Sequence, residues 1–292
     1  MDAKFHPAIA AIKSDDIEGF RQCLRDDPAL ATTRSHTSHP TLLQCLVLSG
    51  TNLVNKVEMA RLLIGAGANV NEPLVACGSC DNVEVAELLL ESGAAVDGTT
   101  GWSPLEEALY WNNQGVVDLL VRRGAAIRNL RCAAGLGRTD LIEGCFSKDG
   151  TLKPEAGKIN WPWGDLESIA KSNFNAAGKE SLASRFASWK NDRQSVLNNA
   201  FVYACIGGHI PAARLLLSKG AEIDAIPGGF DYAGTGLHFA AYFGRRAMAE
   251  WLIGQGGDPY IKDTKVAGTA AEWAEAGRHP ELSAYLKGAR RG

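Results

Sequence analysis

The sequence predicts an all-α solenoid of about eight helix-turn-helix units with a non-repeat insertion near the middle. Three observations carry that expectation. The stretch Gly234 to Asp263 sets out a turn threonine, a small-residue helix, a glycine break, an apolar helix and a glycine pair. The same order returns along most of the chain, with Thr269 standing one period after Thr235. It vanishes between residues 158 and 194, a stretch too long for an ordinary connection.

Each part of the Gly234–Asp263 stretch has a physical role. Thr235 is placed to cap the first helix, giving a partner to an amide that the helix start leaves unpaired. Ala240 and Ala241 are small where neighbouring helices must approach closely. Gly244 is free to take the positive φ that ends the helix. Met248, Trp251, Leu252 and Ile253 then give the second helix an apolar face, and Gly256 and Gly257 close it. A single hairpin cannot bury both of its helices, so several must stack. With His238 one turn after Thr235, this order resembles one ankyrin repeat, whose period and T-P-L-H-x-A signature are known. The resemblance implies a continuous stack of helix pairs covering nearly the whole chain outside the insertion.

In chain order, residues 5–32 carry Ile9, Ile12, Ile17, Phe20 and Leu24 near helical spacing and read as a degenerate first repeat. Its Lys13, Asp15, Asp16, Arg21 and Arg25 suit a terminal unit with one wet side, and Asp27-Pro28 breaks the second helix. The second unit starts near Thr41, with a bulge of about five residues at Asn52 to Lys56 between its helices. In the third, Pro73 takes the signature proline. In the fourth, Ser103-Pro104 stands for Thr-Pro, Glu106 for the histidine, and Asn112 for the helix-ending glycine. The fifth keeps Ala133, Ala134 and Gly137 and loses the pattern after Phe146. Within the insertion, Trp161-Pro162-Trp163 is followed by Asp165 as a helix cap, and a helix is expected around Leu182 to Trp189. The array resumes at Leu197, passes Gly208-His209, and reaches the seventh unit through a longer finger at 226–234. The eighth ends in charged Lys287, Arg290 and Arg291. The domain reading is repeats one to five over 1–157, a tryptophan-containing insertion over 158–194, and repeats six to eight over 195–292, as one solenoid domain.

The formal charge of −3 lacks the basic excess that phosphate binding needs, so nucleic acid is not an expected partner. Seven scattered cysteines do not form a secreted disulfide framework, and no apolar run approaches a membrane span. A cytoplasmic protein without membrane contact is expected. No G-x-S-x-G elbow, H-E-x-x-H, Walker loop or dinucleotide fingerprint is present, and no catalytic residue or cofactor is assigned. Cys77-x-x-Cys80 lacks a second ligand pair, so no metal is assigned either.

The resemblance places partner binding on the hairpin tips and first helices of the concave side. Carried over by position, the residues before the first-helix glycine are Leu48-Ser49, Ser79-Cys80, Tyr110-Trp111, Gly135-Leu136, Ile206-Gly207, Tyr242-Phe243 and Ala276-Gly277. Two pairs are wholly aromatic, and aromatics are frequent anchors in recognition. Tyr110, Trp111, Tyr242 and Phe243 are therefore candidate contacts for a protein or peptide partner, set against a packing role. The alternative is a small-molecule pocket, enzymatic or not, formed where the insertion covers the groove. Trp161 and Trp163 would wall it, with Tyr203, Asp231, Tyr232 and His238 as polar candidates. His209 and His238 occupy family positions that usually support the fold.

Overall fold

Four first helices open on the same reciprocal cap. The computed structural model describes residues 2–35, 40–50, 53–99, 102–157, 170, 176–188, 190–230 and 233–289. In it, Thr41, Ser103, Thr235 and Thr269 each precede a helix whose third residue reaches back to the cap's own amide. The acceptors are Gln44 at 3.1 Å, Glu106 at 2.9 Å, His238 at 3.1 Å and Glu272 at 2.6 Å. An amide, a carboxylate and an imidazole thus do one job, satisfying a donor that the helix start exposes.

The chain divides into two compact units, one of residues 1–126 together with 162–182 and the other of residues 127–161 together with 183–292. In the first, four helix pairs follow in order: α1 (His6–Lys13) with α2 (Ile17–Asp26), α3 (Leu42–Leu48) with α4 (Lys56–Gly65), α5 (Asn71–Cys80) with α6 (Val83–Glu91), and α7 (Pro104–Tyr110) with α8 (Gln114–Arg122). Successive first helices pack on one another, as do successive second helices. Most of the core is aliphatic and small: Ala8, Leu43, Leu46, Ala60, Leu63, Leu74, Ala86, Leu89 and Ala108 have no exposed surface, and neither do the larger Phe5 and Phe20 of the first repeat. Each such burial is worth roughly 1.5–3 kcal/mol for a large aliphatic side chain. Two turns between helices use an aspartate in left-handed geometry, Asp15 at φ 55° and Asp81 at φ 51°. Each sends its carboxylate to the next repeat, Asp15 to the Val54 and Asn55 amides at 2.9 and 3.0 Å and Asp81 to the Val116 amide at 2.8 Å. The residue at the turn inside one hairpin therefore holds the amides at the start of the second helix in the following one. Asn112, at φ 56°, takes the left-handed turn without glycine, as its sequence position predicts.

The second unit holds α9 (Leu130–Gly135) with α10 (Thr139–Gly144), a short α11 (Pro154–Gly157), α13 (Arg193–Gly207) with α14 (Ile210–Ser218), α15 (Gly236–Tyr242) with α16 (Arg246–Gly254), and α17 (Ala270–Ala276) with α18 (Pro280–Gly288). The chain forms α12 (Ala176–Ser188) where the sequence predicts a helix around Leu182. Helix α9 packs on α13, and His209 donates from Nε2 to the Gly135 carbonyl at 3.0 Å across 74 residues of sequence. The fifth and sixth repeats are therefore direct neighbours, and the insertion leaves their register intact. Arg245 repeats the device one unit later, donating from Nε to the Ile206 carbonyl at 3.0 Å.

Three local expectations need correction. Pro73 is the third residue of its helix rather than the first, because the Asn69 side chain accepts the Asn71 amide at 2.9 Å and starts the helix earlier. Lys56 is not part of a loop bulge: it opens α4, is buried, and directs its ammonium to the carbonyls of Val47 and Gly50, closing the carboxyl end of α3. The sixth repeat begins before Leu197. Asp192 accepts the Ser195 amide at 2.9 Å, and α13 runs 15 residues, with Arg193 and Gln194 donating to the Lys219 and Gly220 carbonyls.

Candidate functional site

Each unit carries one of the two aromatic pairs at the carboxyl end of a first helix. In the first unit, Tyr110 and Trp111 meet edge to face with centroids 5.0 Å apart. Gly78 on α5 lets α7 approach closely: a Cβ there would lie 3.0 Å from the Pro104 carbonyl and the Ala108 amide. Glu107 reaches across that contact. Its Oε1 accepts from the Ser79 hydroxyl at 2.6 Å and the Trp111 indole at 2.8 Å, and its Oε2 from the Trp102 indole at 2.7 Å. Trp111, Glu107 and Ser79 are partly exposed, whereas Trp102 and Tyr110 are buried. Tyr110 thus backs the corner, and Trp111 forms its accessible part.

In the second unit an aromatic string runs from inside to outside. Tyr203 meets Phe230 at 5.6 Å, Phe230 meets Phe239 at 5.0 Å, Phe239 meets Trp273 at 5.1 Å, Trp273 meets Tyr242 at 6.2 Å, and Tyr242 meets Phe243 at 5.1 Å. Only the outer end is accessible: Tyr242 is 40% exposed and Phe243 partly so, while Tyr203 is 1% exposed. The Arg131 guanidinium lies 5.9 Å from the Tyr203 ring centre.

His238 is interior. Its Nδ1 accepts the Thr235 amide, so the ring proton sits on Nε2 and is donated to the Gly268 carbonyl at 3.1 Å, with the Trp273 ring 5.2 Å away. Burial pushes its imidazole below the ordinary value, while the Gly268 carbonyl and Asp263 pull it up. Asp263 in turn accepts the amides of Lys265, Val266 and Gly268 and the Trp273 indole, all within 2.8–3.0 Å. This network ties the tip before α17 to the start of α15. Both ring nitrogens of His238 are committed to it.

The sequence-predicted residues thus separate. Tyr242 and Phe243 lie together at one corner and Trp111 at another; Tyr110, Tyr203 and His238 are buried. Trp161, Trp163, Asp231 and Tyr232 lie outside the described residues, as does Asp165. Sequence reasoning missed Trp102, Glu107, Phe230, Phe239 and Trp273. Helical spacing offered a signal for two of them, since Glu107 and Phe239 each stand one turn before the second aromatic of a pair.

Two family models match the chain. One, described as ankyrin repeats in three copies, covers residues 39–130, and one described as ankyrin repeats in many copies covers residues 201–253. The chain is an ankyrin repeat protein. Among curated proteins it is similar to the ankyrin repeat and KH domain-containing protein mask-1 of Caenorhabditis elegans, at 26% identity over 231 residues. That match takes in 70% of the present chain and 8% of the nematode protein's length. Ankyrin repeats are generally protein-interaction modules, and no described helix of this ankyrin chain is long and apolar enough to cross a membrane.

Proposed function

We propose that this ankyrin repeat protein presents the carboxyl ends of its first helices to a protein or peptide partner. The observation that carries the reading is the exposure of Tyr242, 40% of whose surface is open although it stands on the buried Phe239 and Trp273. An aromatic on a fixed backing offers large contact area at small entropic cost, the usual make-up of a binding hot spot. The partner's side chains would cover Tyr242 and Phe243 in one unit and Trp111 in the other. The scattered spacing of the seven cysteines, without the tight pairing of a secreted disulfide framework, supports a reducing compartment such as the cytoplasm.

The test is capture of a partner by the intact chain, followed by titration of that partner against Tyr242→Ala and Trp111→Ala. Each variant should weaken binding about tenfold or more, the loss expected of a hot-spot aromatic, with its urea midpoint close to that of the parent. Undiminished binding by both variants would refute the reading.

A further inference from the structure

Among the described residues the Glu107 carboxylate is held by three neutral donors and no cation. Three other glutamates that bridge repeats of the first unit meet arginines, Glu58 with Arg21 and Glu72 with Arg34 at 2.8 Å and Glu87 with Arg123 at 2.9 Å, whereas the aspartates Asp15 and Asp81 take backbone amides at turns. Among the described residues Glu107 has no such ion pair; its contacts are Ser79, Trp102 and Trp111. Lys56, the buried ammonium of the second repeat, is turned to the carbonyls of Val47 and Gly50 instead.

Neutral donors fix the position of a carboxylate without cancelling its charge. Trp102 is 4% exposed, so its indole cannot swing away, and the acceptor is held in place before any partner arrives. A carboxylate offers about four lone-pair sites, of which these donors use three. Donation from an indole N–H to an anion also enriches the ring in electron density, which strengthens the attraction of its face for a cation. A partly buried anion beside an aromatic ring is thus half of a charge pair.

The geometry points to a recognition subsite for a basic side chain, a lysine ammonium or an arginine guanidinium of a protein partner, seated over the face of the Trp111 ring and beside the Glu107 carboxylate. The inference rests on the interaction reading above and names the chemistry of the partner at one corner. Neutral polar or apolar side chains would leave the carboxylate desolvated without compensation, so they are disfavoured there.

The probes are N-acetyl-arginine amide and N-acetyl-lysine amide, with N-acetyl-citrulline amide and N-acetyl-norleucine amide as neutral counterparts. Each is titrated to tens of millimolar into the intact protein while the indole N–H signals of Trp102 and Trp111 are followed by nuclear magnetic resonance. Both cations should shift these two signals saturably, and the citrulline and norleucine amides at least about fivefold more weakly. Added salt should weaken the cation arms alone. Glu107→Gln, which keeps an acceptor and removes the charge, should cut the preference for cation over citrulline about tenfold. The comparison within the parent protein needs no variant, so it holds if Glu107→Gln fails to fold. Equal responses to arginine and citrulline, or none to any probe, would overturn the subsite. If Trp111→Ala weakens a captured partner while no cation is preferred, the subsite falls and the interaction reading stands. If the cations are preferred but neither alanine variant affects a partner, the interaction reading falls and the subsite stands.

Discussion

The corners at Tyr110-Trp111 and Tyr242-Phe243 occupy the same place in their repeats and meet edge to face at 5.0 and 5.1 Å, yet they differ in chemistry. The difference lies one helical turn earlier. In the first unit that position is Glu107, which gathers two indoles and a hydroxyl around a charge. In the second it is Phe239, which passes the contact inward to Phe230 and Trp273. One residue decides whether the corner is a polar fixture with a partly exposed indole or the outer end of an apolar core. A repeat scaffold can therefore carry two recognition chemistries at equivalent positions, because each hairpin rests mainly on its immediate neighbours.

The strongest way to break the comparison is to make the second corner like the first. Phe239 is 4% exposed and lies against Phe230 and Trp273, so Phe239→Glu would lose a core aromatic and bury a carboxylate with no donor waiting for it. The expected cost is at least about 3 kcal/mol, the lower end for emptying a buried phenylalanine site. It should appear as collapse of amide exchange protection in α15 to α18, with the amides of α1 to α8 little changed. Protection retained in α15 to α18 would mean that Phe239 is not the keystone of the string.

An intermediate effect separates the helix caps of the two units. The Ser103–Glu106 cap contains no imidazole, whereas the Thr235–His238 cap depends on a neutral one. Burial holds His238 below the ordinary imidazole value of about 6.5. The unfolded chain therefore takes up the proton first. Stability from this group is complete above about pH 6.5 and is lost as pH falls toward the lowered folded value. Protonation would also place an N–H on Nδ1 against the Thr235 amide, removing the acceptor. His209, likewise lowered by burial, adds to the slope in the same direction. In His238→Gln the amide oxygen can accept as Gln44 does, while the bond to Gly268 is lost, a cost of about 1 kcal/mol at neutral pH. Urea midpoints between pH 7.5 and 5 should fall less steeply for the variant, leaving the His209 share. An unchanged slope would remove His238 from the acid response.

These contrasts mark what was legible in the sequence. Local rules were readable: the caps at Thr235 and Ser103, the left-handed turn at Asn112 and the apolar faces of the second helices follow from residue type and spacing. What was not readable depends on the neighbouring hairpin. Lys56 reads as a loop lysine until the carbonyls of Val47 and Gly50 are placed around its ammonium. Asp15 and Asp81 read as turn residues, although each also holds amides at the start of a helix in the next repeat. Tyr110 and Tyr203 look like binding aromatics because a one-dimensional pattern cannot say which ring is covered. Glu107 hides for the same reason, since two of its three donors are on its own repeat and the third, Ser79, belongs to the one before.

The smallest expected effect gives the sharpest reading of the first corner. Trp111→Phe keeps an aromatic ring at that position and removes only the N–H given to Glu107. Two donors remain on the carboxylate and solvent reaches the site, so the loss should be about 0.5 kcal/mol, the low end of the net contribution of one hydrogen bond. The informative readout is spectroscopic. With one fewer donor to share the charge, Glu107 should draw the Trp102 indole proton more strongly, moving its resonance downfield. An unmoved Trp102 signal would mean that the two indoles do not share one anion. The corner at Tyr110-Trp111 would then rest on separate hydrogen bonds rather than on one shared charge.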